Sequence, residues 1–116
     1  MIPAYNEAEN ILNLLNKTHE TMMAKKLTYK VIIVNDGSTD DTVKVVEALK
    51  DKIPVEIYSH YPNKGVGEAF RVGFRKELEI SGDGDIVVTK EADNTSDLTI
   101  LHQLISNINN GDDIAL

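Results

Sequence analysis

Apolar positions along this chain follow two rhythms. Short runs in which neighbouring positions are β-branched and apolar read as strands buried on both faces. Longer stretches with apolar residues three and four apart read as helices laid against them. "YKVIIV" (Tyr29 to Val34) and "DIVVT" (Asp85 to Thr89) are the clearest strands. "PVEIYS" (Pro54 to Ser59) is a third, with more alternation, and the terminal "DIAL" opens a fourth. Ile11, Leu12, Leu14 and Leu15 predict a helix from about Asn6 to Lys25, with Glu7 and Glu9 suited to its positively polarised first turn. Val43, Val45, Val46 and Leu49 predict another over Asp41 to Lys50. A third runs from near Gly67 to Ile80, and a fourth from Leu98 to Asn109, where "NNGDD" is a stop signal.

Strands alternating with helices of this length predict crossover units. The fold class is therefore α/β, a three-layer α/β/α domain with a mostly parallel sheet over residues 1–116. Both ends are irregular for such a domain. Only "MIPAY" precedes the first helix, where a full strand is expected, and the chain stops inside an apolar run. The domain therefore reads as truncated at both ends, the alternative being a small domain with stubby edge strands.

Chemistry gathers where the strands stop. In parallel α/β sheets ligands collect at the carboxyl ends of strands. In "VIIVNDGSTDDT" (Val31 to Thr42) an apolar strand ends abruptly in Asn35, Asp36 and Gly37. Ser38, Thr39, Asp40 and Asp41 read chiefly as helix start: Ser38 or Thr39 as the cap, the aspartates in the first turn. Asp36 is surplus to a cap and is the functional candidate. "DIVVTKEADNTSD" repeats the arrangement with Glu91 and Asp93 two residues apart, hard oxygen donors of the kind that hold Mg2+ or Mn2+ against a diphosphate. "NKGVGEAFRVGF" (Asn63 to Phe74) puts Gly65 and Gly67 at a helix start that phosphate could approach, while Gly73 suits close packing. Phe70 stands where the dinucleotide fingerprint needs its third glycine, so that cofactor class is rejected. Lys64, Arg71 and Arg75 read as solvated helix charges. His19, His60 and His102 share no metal-ligand spacing and read as surface or strand residues. Tyr5 either stacks on a base or packs at the sheet edge.

Composition narrows the partners. The net charge of -7 argues against nucleic acid or an anionic membrane surface as the main partner. Cysteine is absent, which excludes disulfides and thiolate metal sites. No apolar run approaches the roughly 18 residues of a membrane span, and "MIPAYNEAEN" lacks signal-peptide regions, so a cytoplasmic location is expected.

In this order, "IPAYNEAENI", "VIIVNDGSTDDT", "NKGVGEAFRVGF" and "VVTKEADNTSD" resemble the N-terminal half of a family 2 glycosyltransferase with the GT-A fold. Within that family the match leans towards dolichyl-phosphate mannose synthase-like and other polyprenyl-phosphate sugar transferases. The resemblance implies a UDP- or GDP-linked sugar donor, a divalent cation (Mg2+ or Mn2+), and a polyprenyl-phosphate acceptor at the inner membrane face. It puts Pro3, Ala4, Tyr5 and Glu7 in the nucleoside pocket, and gives Asp36 the role of hydrogen-bonding the base. Asn63 and Gly65 join the nucleotide-sugar set. Glu91, Ala92 and Asp93 stand at the family's Asp-x-Asp, serving ribose and metal, with Asp93 and Glu91 as the metal ligands. Glu91 replaces the usual first aspartate. The family's catalytic base and acceptor region follow these motifs, so the catalytic residue is left unknown.

Two other classes stay open. One is a non-catalytic module that binds nucleotide or self-associates through uncovered sheet edges. The other is a nucleotidyltransferase, although "IPAYNEAEN" is not the glycine-rich, basic first loop that such an enzyme needs.

Overall fold

The computed structural model describes residues 1–92 and 98–114, the side chains of Thr99 and His102 excepted. Three parallel strands form the sheet in the order β1 (Ile2–Ala4), β2 (Val31–Asp36), β3 (Val55–His60). Helix α1 (Ala8–Ala24) links β1 to β2, and α2 (Thr42–Ala48) links β2 to β3. Helix α3 (Val66–Ile80) follows β3, and a 3-10 turn at Leu98–Ile100 leads into α4 (Leu101–Asn109). Strands and helices alternate because β2, buried at every position, needs a layer on each face.

Side-chain parity along β2 makes those layers. Val31 and Ile33 join Ile11, Leu14 and Leu15 of α1 and Val46 of α2 in one core. Ile32 and Val34 point the other way, towards Ala69 of α3 and Met1. Fully burying one such aliphatic side chain contributes about 1.5–3 kcal/mol. Gly73 faces this second core, where a Cβ would stand 2.6 Å from the Met1 sulfur, so the close-packing reading of that glycine holds.

The strand pattern needs three corrections. Ile2–Ala4 is a strand after all: short, but paired with Ile33 to Asn35. "DIVVT", expected as a strand, is an irregular segment. The Met1 amine donates to the Val88 carbonyl (2.7 Å) and the Lys90 N–H to the Met1 carbonyl (3.1 Å), a single parallel rung. Among the described residues the rung is made with Met1, just ahead of β1, and one rung does not make a ladder. At the other end Asp113 and Ile114 form no strand, and Ala115 and Leu116 lie outside the described residues.

Register carries the fold into the site. Asp36 pairs with His60, and Ala4 with Asn35, so three strand ends finish almost level. The loops leaving them share one rim. Among the described residues, no helix is long and apolar enough to cross a membrane.

Candidate functional site

The polar run after β2 ties the rim loops together. Asn35, fully buried, donates from Nδ2 to Ser59 Oγ (3.0 Å) and Tyr61 Oη (3.1 Å) and accepts the Ser38 N–H (3.1 Å). Across the rim, Ser38 Oγ accepts the Asn6 N–H (3.0 Å), Thr42 Oγ1 accepts the Glu7 N–H (2.9 Å), and Asn6 Oδ1 accepts the Thr39 N–H (2.8 Å). Asn6 can reach these groups because it adopts a left-handed backbone (φ 51), which asparagine tolerates better than most residues.

These bonds correct the capping assignment. Neither Ser38 nor Thr39 caps α2. The Asp40 carboxylate accepts from the Thr42 N–H and hydroxyl and also from the Ala8 N–H (3.2 Å), bridging the starts of two helices. Partial desolvation works against its charge. Hydrogen bonds from Thr42, Ala8 and its own backbone outweigh that and hold the Asp40 carboxyl below its ordinary value. A depressed carboxyl contributes stability above its unfolded value, about 4, and loses it as pH falls through the lower folded value. Asp40→Ala is therefore expected to cost about 0.5–1 kcal/mol at pH 7, the low end for an exposed side chain that accepts from helix-start N–H groups, and less at pH 3. Urea unfolding at both pH values measures the difference.

Asp36 does for the third loop what Asp40 does for the first. Its carboxylate is buried, with Oδ1 accepting the Lys64 N–H (2.8 Å) and Oδ2 the Gly65 N–H (2.9 Å). Asn63 Nδ2 donates to the Asp36 carbonyl (3.0 Å). A carboxylate has about four acceptor positions, so Asp36 keeps capacity for a further donor.

Around Asp36 opens a cleft of about 400 Å3. Nine of the ten sequence-predicted nucleotide-sugar residues line it: Pro3, Ala4, Tyr5, Glu7, Asp36, Asn63, Gly65, Glu91 and Ala92. The tenth, Asp93, lies outside the described residues. Val66, Ala69 and Phe70 form an apolar wall that the sequence reading did not single out. Its signal was the helical step from Val66 to Phe70 directly after the Gly65 turn. Tyr5 is 47% exposed and lines the cleft. A larger cavity of about 560 Å3 lies at the opposite ends of the strands, lined by Ile2, Val31, Ile80 and Leu101 among others, and holds none of the candidate residues.

The described lining carries three carboxylates, Glu7, Asp36 and Glu91, and no lysine or arginine. Arg71 is exposed and bound to Glu68, in keeping with a solvated helix charge. The histidines divide. His19 meets the Tyr29 hydroxyl in a hydrogen bond, and the His102 side chain lies outside the description. His60 is a strand residue, as one branch of its reading had it: it ends β3 with its ring largely buried beside Asp36.

The family described as Glycosyl transferase family 2 matches residues 1–116, the whole chain. The chain belongs to glycosyltransferase family 2. It is 32% identical over 116 residues to a dolichol-phosphate mannosyltransferase of Pyrococcus furiosus, covering 100% of this chain and 31% of that protein. It is 28% identical to an undecaprenyl-phosphate 4-deoxy-4-formamido-L-arabinose transferase of Proteus mirabilis, covering 98% of this chain and 34% of the relative. The chain thus spans about a third of the length of these curated relatives. Among solved structures, S. aureus TarS 1-349 in complex with UDP superposes with a TM-score of 0.71 at 23% identity, over 100% of this chain and 37% of that one. That likeness shows the fold, the GT-A architecture of glycosyltransferases. In this family 2 glycosyltransferase fold, the cleft sits at the carboxyl ends of the strands, as the switch-point rule requires.

Proposed function

We propose that residues 1–116 are the donor-binding part of a glycosyltransferase that takes a sugar from a nucleotide diphosphate, UDP- or GDP-linked, and delivers it to a polyprenyl phosphate. The observation that carries this reading is the convergence of Tyr5, Asp36, Asn63, Gly65 and Glu91, from four separate segments, on one cleft. Two relatives named for dolichol- and undecaprenyl-phosphate support the acceptor class, and the UDP in the TarS structure supports the donor class.

The exposed Tyr5 ring offers a stacking face for a base, and Asp36 an acceptor for a base N–H. An acidic cleft with no described cation on its lining repels a bare diphosphate. Glu91 is exposed and makes no described hydrogen bond, so its carboxylate is available to a divalent ion. Hard oxygen donors fit Mg2+ or Mn2+, which bind through one or two carboxylates and complete their shell with phosphate and water. Glu91 and Asp93 are the residues that would hold such an ion. When bound, it would neutralise charge on the leaving diphosphate. The rest of the work in this part of the enzyme is orientation: the base at Tyr5 and Asp36, the phosphates towards Glu91 and Asp93.

Calorimetric titration with UDP and with GDP, each with Mn2+, with Mg2+ and with chelator, tests the reading. Metal-dependent binding of one nucleotide is expected. Tyr5→Ala should weaken it about tenfold, within the range of stacking on one base, while Tyr5→Phe should bind like the parent. A folded sample that binds neither nucleotide under any of these conditions would sink the proposal.

A further inference from the structure

His60 is a buried titratable group that the donor-binding reading does not use. It is the last residue of β3, directly opposite Asp36 in the parallel register. The two side chains share a face because both continue the parity that sends Ile32 and Val34 towards α3. Nδ1 of His60 lies 3.3 Å from Asp36 Oδ1, with the imidazole 16% and the carboxylate 5% exposed. Both ring nitrogens are buried, and neither has a well-aligned hydrogen-bond partner among the described residues. A neutral imidazole so placed leaves buried polar atoms poorly satisfied, which is costly. A protonated one gains a charge-assisted contact with Asp36.

We propose that His60 is the positioning residue of Asp36. By gaining or losing a proton it sets the hold of the Asp36 carboxylate on the Lys64 and Gly65 amides, and so the shape of the cleft rim. The same Oδ1 that faces His60 accepts the Lys64 N–H, and the other oxygen accepts the Gly65 N–H. Gly65 is the N-cap of α3 and lines the cleft, so a change at His60 reaches the site through two hydrogen bonds. The charged groups on this side are Asp36 of β2, Lys64 of the loop, and Glu68 of α3. Arg71 holds the Glu68 carboxyl below its usual range, and Lys64 and His60 add to that field. A protonated ring attracts the Asp36 carboxylate from 3.3 Å and so fixes the anchor that both amides share.

The inference rests on Asp36 belonging to the donor site, and the test separates the two claims. In the first arm, NMR follows the His60 ring signals and the Lys64 and Gly65 amides of the free chain from pH 8 to pH 5.5. The amides should move with the midpoint of His60, and in His60→Asn, whose amide can stand in for Nδ1–H but does not titrate, they should stay flat. In the second arm, UDP affinity is measured at pH 8 and pH 6. The phosphate of UDP titrates in this range too, so the readout is the difference between the parent and His60→Asn. The parent should gain at least threefold over the variant on going to pH 6. His60→Leu, which has no donor, should bind less tightly than His60→Asn at both pH values. A melting curve for each variant confirms that it is folded. Amides that ignore the His60 titration overturn the proposal, as does equal pH dependence of UDP binding in parent and His60→Asn. Failure of the parent to bind UDP counts against the donor reading, and the amide profile still decides the role of His60.

Discussion

Replacing Gly37 by alanine is expected to destabilise the chain by about 2–4 kcal/mol and to weaken nucleotide binding with it. Gly37 follows β2 in a left-handed conformation, φ 73, which costs a residue with a Cβ about 1–2 kcal/mol. The larger effect is steric. A Cβ there would lie 2.5 Å from the Asn63 nitrogen and 2.9 Å from both the Asn63 Cα and the Pro62 carbonyl carbon. All three are backbone atoms, so no side chain can swing aside. The 62–65 loop would have to lift away, and Asn63 would then lose its bond to the Asp36 carbonyl. Urea unfolding reads the first effect and UDP titration the second. Gly65→Ala is the control. Gly65 also has a positive φ, 96, but a Cβ there meets nothing within 4 Å, so only the conformational cost should appear. A Gly37→Ala chain that keeps the UDP affinity of the parent would show that Gly37 is not needed for close approach.

The contrast shows which parts of this molecule were legible beforehand. Helices α1 to α4 and strands β2 and β3 follow from local apolar spacing, and each forms within a few residues of its expected span. The cleft was legible because chemistry at the end of an apolar strand needs only the rule that ligands gather there. Three features depend on partners distant in sequence and were not. "DIVVT" has strand composition, yet a strand exists only where a neighbour lies alongside, and among the described residues the backbone rung it makes is with Met1. Asp40, one residue before the Asp41 N-cap, takes the Thr42 N–H at the start of α2, while Ser38 and Thr39 are taken by Asn6, more than thirty residues earlier in the chain. His60 gains its meaning from the register that sets it opposite Asp36, and register between parallel strands is fixed by crossover geometry.

Asp36 should prove the most costly polar residue to remove. Asp36→Ala is expected to lower the unfolding free energy by about 2–4 kcal/mol, a large share of the 5–15 kcal/mol typical of a domain. The deletion strips the acceptor from the Lys64 and Gly65 amides at once, and leaves His60 beside a void. Hydrogen bonds to a charged acceptor contribute about 1.5–3 kcal/mol each, and unpaired partly buried donors cost more than the bond alone. Asp36→Asn should fall between the two, because its carbonyl oxygen can serve one amide while its NH2 confronts the other. Nucleotide binding separates structure from recognition. If Asp36 only positions the loop, Asp36→Asn should lose affinity roughly in step with its loss of stability. If it also accepts a hydrogen bond from the base, the asparagine should lose UDP affinity well beyond that and discriminate less between UDP and GDP. Site recognition predicts the second pattern. Side-by-side denaturation and titration of the parent, Asp36→Asn and Asp36→Ala distinguish them, since a stability loss without any change in the ratio of UDP to GDP affinity would leave Asp36 as a structural clasp alone.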